Sequence, residues 1–395
     1  MAEKYPIDPV KLCIDGTEWT YWTGVTVTRQ VDAIAGAFDL ELVERWGDAQ
    51  QGMGMLPLAA GLPCTVHIGD DQVISGFIDK ISPQFAANAH GIRVSGRDAG
   101  ADLVDCSAVN RPGQWKGLNA AQLAAELARP FNVPVTAEGD VGAPFETWKL
   151  EPGEKAFDCL DRALKQRELF ACPDGKGGIV ILKIGSRENG GRLEQGVNVL
   201  SASLDADMTK RFSEYVVQGQ QPGKDDRFGL AACAVTAECR DAAVRRYRPM
   251  IIKAENSVDA AGARQRAAWE CSVRAGRAVT VRVTVQGFRQ NGVGLQQSGP
   301  LWQINAMTDV KLPYLRLEQR LLASKVTFRR SLSGGSTTEL ELRDPAAFKP
   351  EPKQAKASGS DGKGGSWDNL NVAAEKDIQT RMADDAAAAN KKAGQ

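Results

Sequence analysis

The sequence predicts a mainly β protein with an α+β insert: two small β-barrel domains with a compact α/β domain between them. Three observations predict it. Short alternating runs bounded by turn residues fill residues 5–100 and return in 186–345. The 40 glycines and 18 prolines supply many tight connections. Between the two β-rich stretches, residues 105–185 switch to the helical period.

The first domain is assigned to residues 1–104. Val10-Lys11-Leu12-Cys13-Ile14 alternates, and Asp15-Gly16 supplies a hairpin turn. Residues 22–29 alternate again, and Ile34 to Leu42 reads as the next strand. Val66-His67-Ile68 and Val73 to Ile78 flank Gly69-Asp70-Asp71 as a hairpin, and Ile92-Arg93-Val94 closes the set. Five or six short strands with close turns suit a small barrel.

The second domain, 105–185, opens with a helix over Ala120 to Arg129. Asn119 caps it, Gln122 completes a capping box, and Pro130 stops it. Trp148-Lys149-Leu150 is a short strand. A second helix starts from Pro152-Gly153-Glu154 and puts Phe157, Leu160 and Leu164 on one face. Asp174 to Gly178 then turns into the strand Ile179 to Leu182.

The third domain, 186–349, is a second barrel with one helical insertion. Val279 to Gln286 alternates throughout, as a half-buried antiparallel strand should. Lys325 to Arg330 and Thr337 to Arg343 flank a hairpin tip at Ser333-Gly334-Gly335-Ser336. Asn256 to Ala275 reads as one helix, capped by Asn256, ended by Gly276 and packed on the sheet by Trp269. Residues 350–395 read as a Pro/Lys/Ser/Gly-rich linker and a polar, alanine-rich tail, dispensable for folding.

Lys plus Arg and Asp plus Glu both number 49, which argues against a general nucleic-acid binder. No apolar run approaches the roughly 20 residues of a membrane span, and Met1 to Pro6 lacks a signal-peptide core. Synthesis in a cytosol without stable membrane insertion is the expectation. Eight cysteines (Cys13, Cys64, Cys106, Cys159, Cys172, Cys233, Cys239, Cys271) form no CxxC pair and read as reduced core thiols.

Candidate chemistry is sparse. Asp98, Asp102 and Asp105 could face one another across a helical turn as an acid/base group; an acidic helix N-terminus is the plainer reading. His67 and His90, the only histidines, with Cys233 and Cys239, do not make a zinc pattern. Asp174-Gly175-Lys176-Gly177-Gly178 resembles a phosphate cradle but lacks P-loop spacing. Arg240, Arg245, Arg246, Arg248 and Lys253 surround Tyr247 as a basic cluster; the readings are a nucleic-acid patch or, favoured by the neutral overall charge, a solvated face or subunit contact. The expectation is no catalytic, cofactor-binding or metal-binding residue and no enzyme activity.

Ordered segments carry a resemblance. They are Ile34 to Leu40, Gly76-Phe77-Ile78-Asp79, Ser95-Gly96-Arg97-Asp98 with Asp102 to Asp105, Trp148 to Asp158, and Leu169-Phe170. Over residues 5–345 this order resembles the Mu-like contractile phage tail baseplate hub proteins, relatives of the late control protein D family. The resemblance implies two related barrels, a LysM-like α/β domain and no catalytic residues. It implies a homotrimeric ring between the sixfold tail tube and the threefold central spike, contacting other baseplate proteins, with DNA only in transit. The implied place is the virion tail, assembled in the host cytoplasm. The alternatives are a peptidoglycan-binding or glycan-cleaving tail module, resting on residues 119–182, and a secretion-system spike component.

Overall fold

Strands β1 (Val10–Ile14) and β2 (Thr17–Trp19) form the predicted hairpin, and its turn residues Asp15 and Gly16 take φ of 47° and 80°. That is the left-handed backbone a two-residue hairpin loop demands. The computed structural model describes residues 8–20, 22–44, 58–86, 89–188, 190–220, 234–254, 258–290 and 298–352. The first β-rich stretch continues with β3 (Gly24–Gln30), β4 (Ala37–Glu44), β5 (Pro63–Ile68), β6 (Asp71–Ala86) and β7 (Ala89–Asp98). The strand expected from Ile34 starts at Ala37 instead. Ile34 turns away from the sheet and is buried in the core of the insert.

The insert holds α1 (Ala101–Asp105), β8 (Gln114–Trp115), α2 (Ala120–Ala128), β9 (Val135–Ala137), β10 (Trp148–Lys149), α3 (Ala156–Lys165), β11 (Phe170–Pro173) and β12 (Ile179–Leu182). The capping box forms as read: Asn119 Oδ1 accepts from the Gln122 amide, and Gln122 Oε1 accepts from the Asn119 amide, both at 2.9 Å. α3 begins at Ala156, later than Pro152 predicts, and buries Cys159, Leu160, Ala163 and Leu164. Phe157 is only partly buried.

The second stretch contains β13 (Arg192–Glu194), β14 (Val199–Ala206), β15 (Glu214–Gly219), β16 (Val235–Arg240), β17 (Pro249–Lys253), α4 (Ala260–Arg277), β18 (Val279–Gln286), β19 (Met307–Leu312), β20 (Leu317–Ser331) and β21 (Gly335–Arg343). Strand makes up 46% and helix 17%, so the mainly β class holds. The helical excursion is larger than one helix, because β16, β15 and β17 form a separate three-stranded sheet under α4. The helix cap is Asp259, whose carboxylate accepts from the Gly262 amide at 2.7 Å; Asn256 lies outside the described residues. Gly276 does not end the helix. It lies inside it, where a Cβ would meet the Ala347 nitrogen at 2.6 Å. Trp269 faces away from the sheet and donates from Nε1 to the Lys349 carbonyl.

The two β-rich stretches are not separate in space. β3 pairs antiparallel with β20, from Gly24 opposite Ser331 to Gln30 opposite Lys325. The result is one 13-stranded sheet with the path β14-β18-β21-β20-β3-β4-β7-β6-β5-β1-β2, plus β19 and β13 branching from β20. One apolar core runs through both halves, from Val25, Val27 and Leu40 to Val283, Phe328 and Leu340. The sequence predicts two small barrels; among the described residues the strands form one continuous sheet in which no closed barrel is found. Residues 350–352, expected in the linker, are described, and the Glu351 carboxylate pairs with Arg266 of α4. The rest of the expected tail lies outside the described residues.

Candidate functional site at the insert junction

Asp98 ends β7 where the first half of the sheet, the Ile34 loop and the insert meet. Its side chain is 2% exposed. Oδ2 accepts from the Gly36 amide at 2.8 Å and Oδ1 from the Ser75 amide at 2.9 Å. The contact with Gly36 needs glycine, because a Cβ there would lie 2.7 Å from both Asp98 Oδ2 and Ile74 Cδ1. Burial pushes the Asp98 carboxyl up to about 6, against the two amide bonds and nearby Arg29, which favour the charged form. Arg29 donates to the Pro173 carbonyl of the insert, and its Nε is closed off from solvent without a partner. Cys172 donates to the Val31 carbonyl at 3.6 Å across the same seam.

The three aspartates therefore do not converge. Asp98 spends both oxygens on backbone amides. Asp105 is exposed and accepts from Arg97 at 2.8 Å, while Arg97 Nε donates to Asp79 at 2.6 Å. Hydrogen bonding to Arg97 holds the Asp105 carboxyl below the ordinary range. Asp102 lines a groove of about 320 Å³ with Phe77, Asp79, Arg97 and Asp98. No acid and base face each other there across a space for a reacting bond.

The other motifs resolve locally. In Asp174 to Gly178 the anion is the chain's own: Asp174 Oδ1 accepts from the Lys176 and Gly178 amides at 2.6 and 2.9 Å. The turn joins β11 to β12, and Gly175 and Gly177 press against β6 backbone and Ser75. His67 bonds Thr65 at 3.1 Å on β5, and the His90 side chain lies outside the described residues, as does Cys233. The basic cluster is split. Arg240 pairs with Glu214, and Arg248 sits over the Phe212 ring and donates to the Thr209 carbonyl. Tyr247 is 84% exposed between them. No group of three or more metal-ligating side chains occurs among the described residues. No helix among them is long and apolar enough to cross a membrane.

Arg29 is the junction residue that the sequence reading missed. It continues the inward phase of Val25 and Val27 along β3, and a charge in phase with buried valines was the available signal.

The junction residues are thus bonded to one another and to backbone, and the comparisons with known proteins bear on the chain as a whole. Residues 9–98 match the family described as Mu phage baseplate assembly protein GpP-like, N-terminal. Residues 100–183 match baseplate hub protein gp44-like, second domain, and residues 259–351 match Mu phage baseplate assembly protein GpP, fourth domain. The chain is 31% identical over 366 residues to the baseplate hub protein gp44 of Escherichia phage Mu, covering 90% of this chain and 93% of that protein.

The chain belongs to the Mu-like baseplate hub family.

Among solved structures, the 43 kDa tail protein of prophage MuSo2 from Shewanella oneidensis is similar at 32% identity and a TM-score of 0.76. That match covers 87% of this chain and all of that one. The E. coli c3393 protein, a type VI secretion component, shares the fold at 9% identity and a TM-score of 0.51, covering 87% of this chain and 80% of that one. As a hub-family member, this chain is a structural component of the virion tail and not an enzyme.

Proposed function

We propose that three copies of this hub chain close into a ring that joins a sixfold tail tube to a threefold central spike and leaves a bore for DNA during injection. The observation that carries this reading is the arrangement of strands about the β3–β20 pair. From β3 the path runs outward through β4, β7 and β6; from β20 it runs through β21, β18 and β14. Every step is antiparallel. One chain so offers two similar units, and three chains offer six. The sheet also has three ends, at β14, β2 and the β13 branch, whose outer edges carry no paired strand among the described residues beyond a single bridge between Gln195 and Val199. Ring neighbours are a natural cover for such edges.

In this reading the insert is a LysM-like scaffold piece and not a glycan reader. Its Phe145 and Trp148 are buried, with Arg167 and Arg162 stacked over their rings, and Trp115 is half-buried. Stacking on a sugar ring needs an aromatic face in solvent, which Phe145 and Trp148 do not offer. Mass photometry of the purified protein, alone and with the spike, tests the ring. The expected species is a trimer of the 42.4 kDa chain; a monomer under both conditions sinks the proposal. Sedimentation of the chain with purified peptidoglycan would overturn the scaffold role of the insert.

A further inference from the structure

α4 meets the three-stranded sheet through two matched rows of side chains. On the helix, Ala263 and Ala267 are fully buried and four residues apart, and Cys271 continues that row one turn later. On β16, Val235 and Ala237 are buried toward α4, and Cys239 continues their two-residue period. The rows run the same way: Val258, just before the helix, abuts Gly219 opposite Val235 at one end, and Arg274 donates to the Lys210 carbonyl, just before Glu214 and its partner Arg240, at the other, so Cys239 and Cys271 lie together at that second end. Both residues are partly exposed and both thiols are free. Two other described thiols engage different groups: Cys159 accepts from Trp148 Nε1 at 3.3 Å, and Cys172 bonds the Val31 carbonyl.

The core between helix and sheet is small. It consists of Val217, Val235, Ala237, Val258, Ala263 and Ala267, and half of these are alanines. A small core gains most from a covalent staple.

We propose that Cys239 and Cys271 are a disulfide-forming pair, reduced while the tail assembles in a cytosol and oxidised in the released particle by low-molecular-weight disulfides. One protein thiolate attacks a sulfur of the small disulfide, forming a mixed disulfide and releasing one small thiol. The second protein thiolate then attacks the protein-bound sulfur, forming the Cys239–Cys271 bond and releasing the second small thiol. The two protein thiols give up two electrons, the small disulfide accepts them, and both protons end on the released thiols. The bridge fixes α4 to β16. Burial, with Cys239 alongside, pushes the Cys271 thiol up to about 12, so exchange is slow at neutral pH and quickens as pH rises.

The test uses the full chain incubated with oxidised glutathione at alkaline pH, then alkylated, counted for free thiols in denaturant and mapped by peptide mass spectrometry. Free thiols should fall from eight to six per chain, with one peptide linking Cys239 to Cys271. C239S and C271S should each start at seven thiols, stay at seven and show no link. Hydrogen exchange in α4 should slow on oxidation and recover with dithiothreitol. Stable glutathione adducts without the link, a link from either residue to another cysteine, or a count that stays at eight would each overturn the proposal.

Discussion

At the insert junction, polar groups from distant parts of the chain are buried together: Asp98 holds the Gly36 and Ser75 amides, and Arg29 holds the Pro173 carbonyl. Around them run two large apolar cores, one shared by both halves of the sheet and one inside the insert. The helix–sheet unit of residues 214–277 lacks this depth. Its sheet is separate, its core has six valines and alanines, and its buried charges pair within the unit, as Glu270 does with Arg266 and Arg274. The contrast teaches where rigidity lies. The expectation is that the junction binds sequence-distant segments into one cooperative body and that the helix–sheet unit opens by itself, because its apolar cluster is smaller.

The largest expected effect tests the junction. Asp98→Ala leaves two amides without acceptors, at about 1–3 kcal/mol for each buried group left unsatisfied. Chemical denaturation should show a loss of about 3 kcal/mol or more for the whole sheet and insert. A loss confined to the insert would separate the two bodies that the comparison joins.

A pH titration gives the next effect. The folded Asp98 carboxyl is pushed up to about 6, above the ordinary aspartate value of 3.8, so the folded state binds the proton more tightly than the unfolded chain. Its contribution therefore favours folding below about 4 and is lost as pH rises through about 6. At 1.36 kcal/mol per pKa unit, the swing is on the order of 2–3 kcal/mol. Relative to Asp98→Asn, the wild type should gain stability between pH 7 and 4; parallel curves for the two proteins would rule this out.

A smaller, local effect belongs to the helix–sheet unit. Val217 is fully buried in its core. Val217→Ala should cost about 1–2 kcal/mol by loss of buried apolar surface and raise hydrogen exchange only in β15, β16, β17 and α4. Faster exchange in β4 and β7 would show that the unit is coupled to the junction.

The smallest effect sharpens the edge of the folded body. Truncation after Pro352 should leave the Tm within about a degree, since the removed residues are too polar to offset ordering costs of about 1–2 kcal/mol each. Truncation after Phe348 removes the Lys349 carbonyl that accepts from Trp269 and the Glu351 partner of Arg266. It should cost about 1 kcal/mol. Equal Tm values for the two truncations would show that this strap adds nothing.

By itself the sequence determined what is local. The Asp15-Gly16 turn, the Asn119 capping box, the alternating strand of Val279 to Gln286 and the α/β character of the insert follow from periods and turn chemistry carried by neighbouring residues. The order of its motifs also determined the hub family. Tertiary structure decided what depends on partners far along the chain. Only pairing between Gly24–Gln30 and Lys325–Ser331 makes the two β-rich stretches one sheet, and strand pattern does not name a strand's partner. Ile34 has strand-like neighbours, yet it is drawn into the insert because Leu103 and Ile179 complete a core there. Asp98 reads as a helix-start acid; the approach of Gly36 and Ser75, 62 and 23 residues away, makes it a buried clasp. Cys239 and Cys271 look unrelated in sequence because a strand of period two and a helix of period 3.6 bring their rows together only when α4 packs on the sheet.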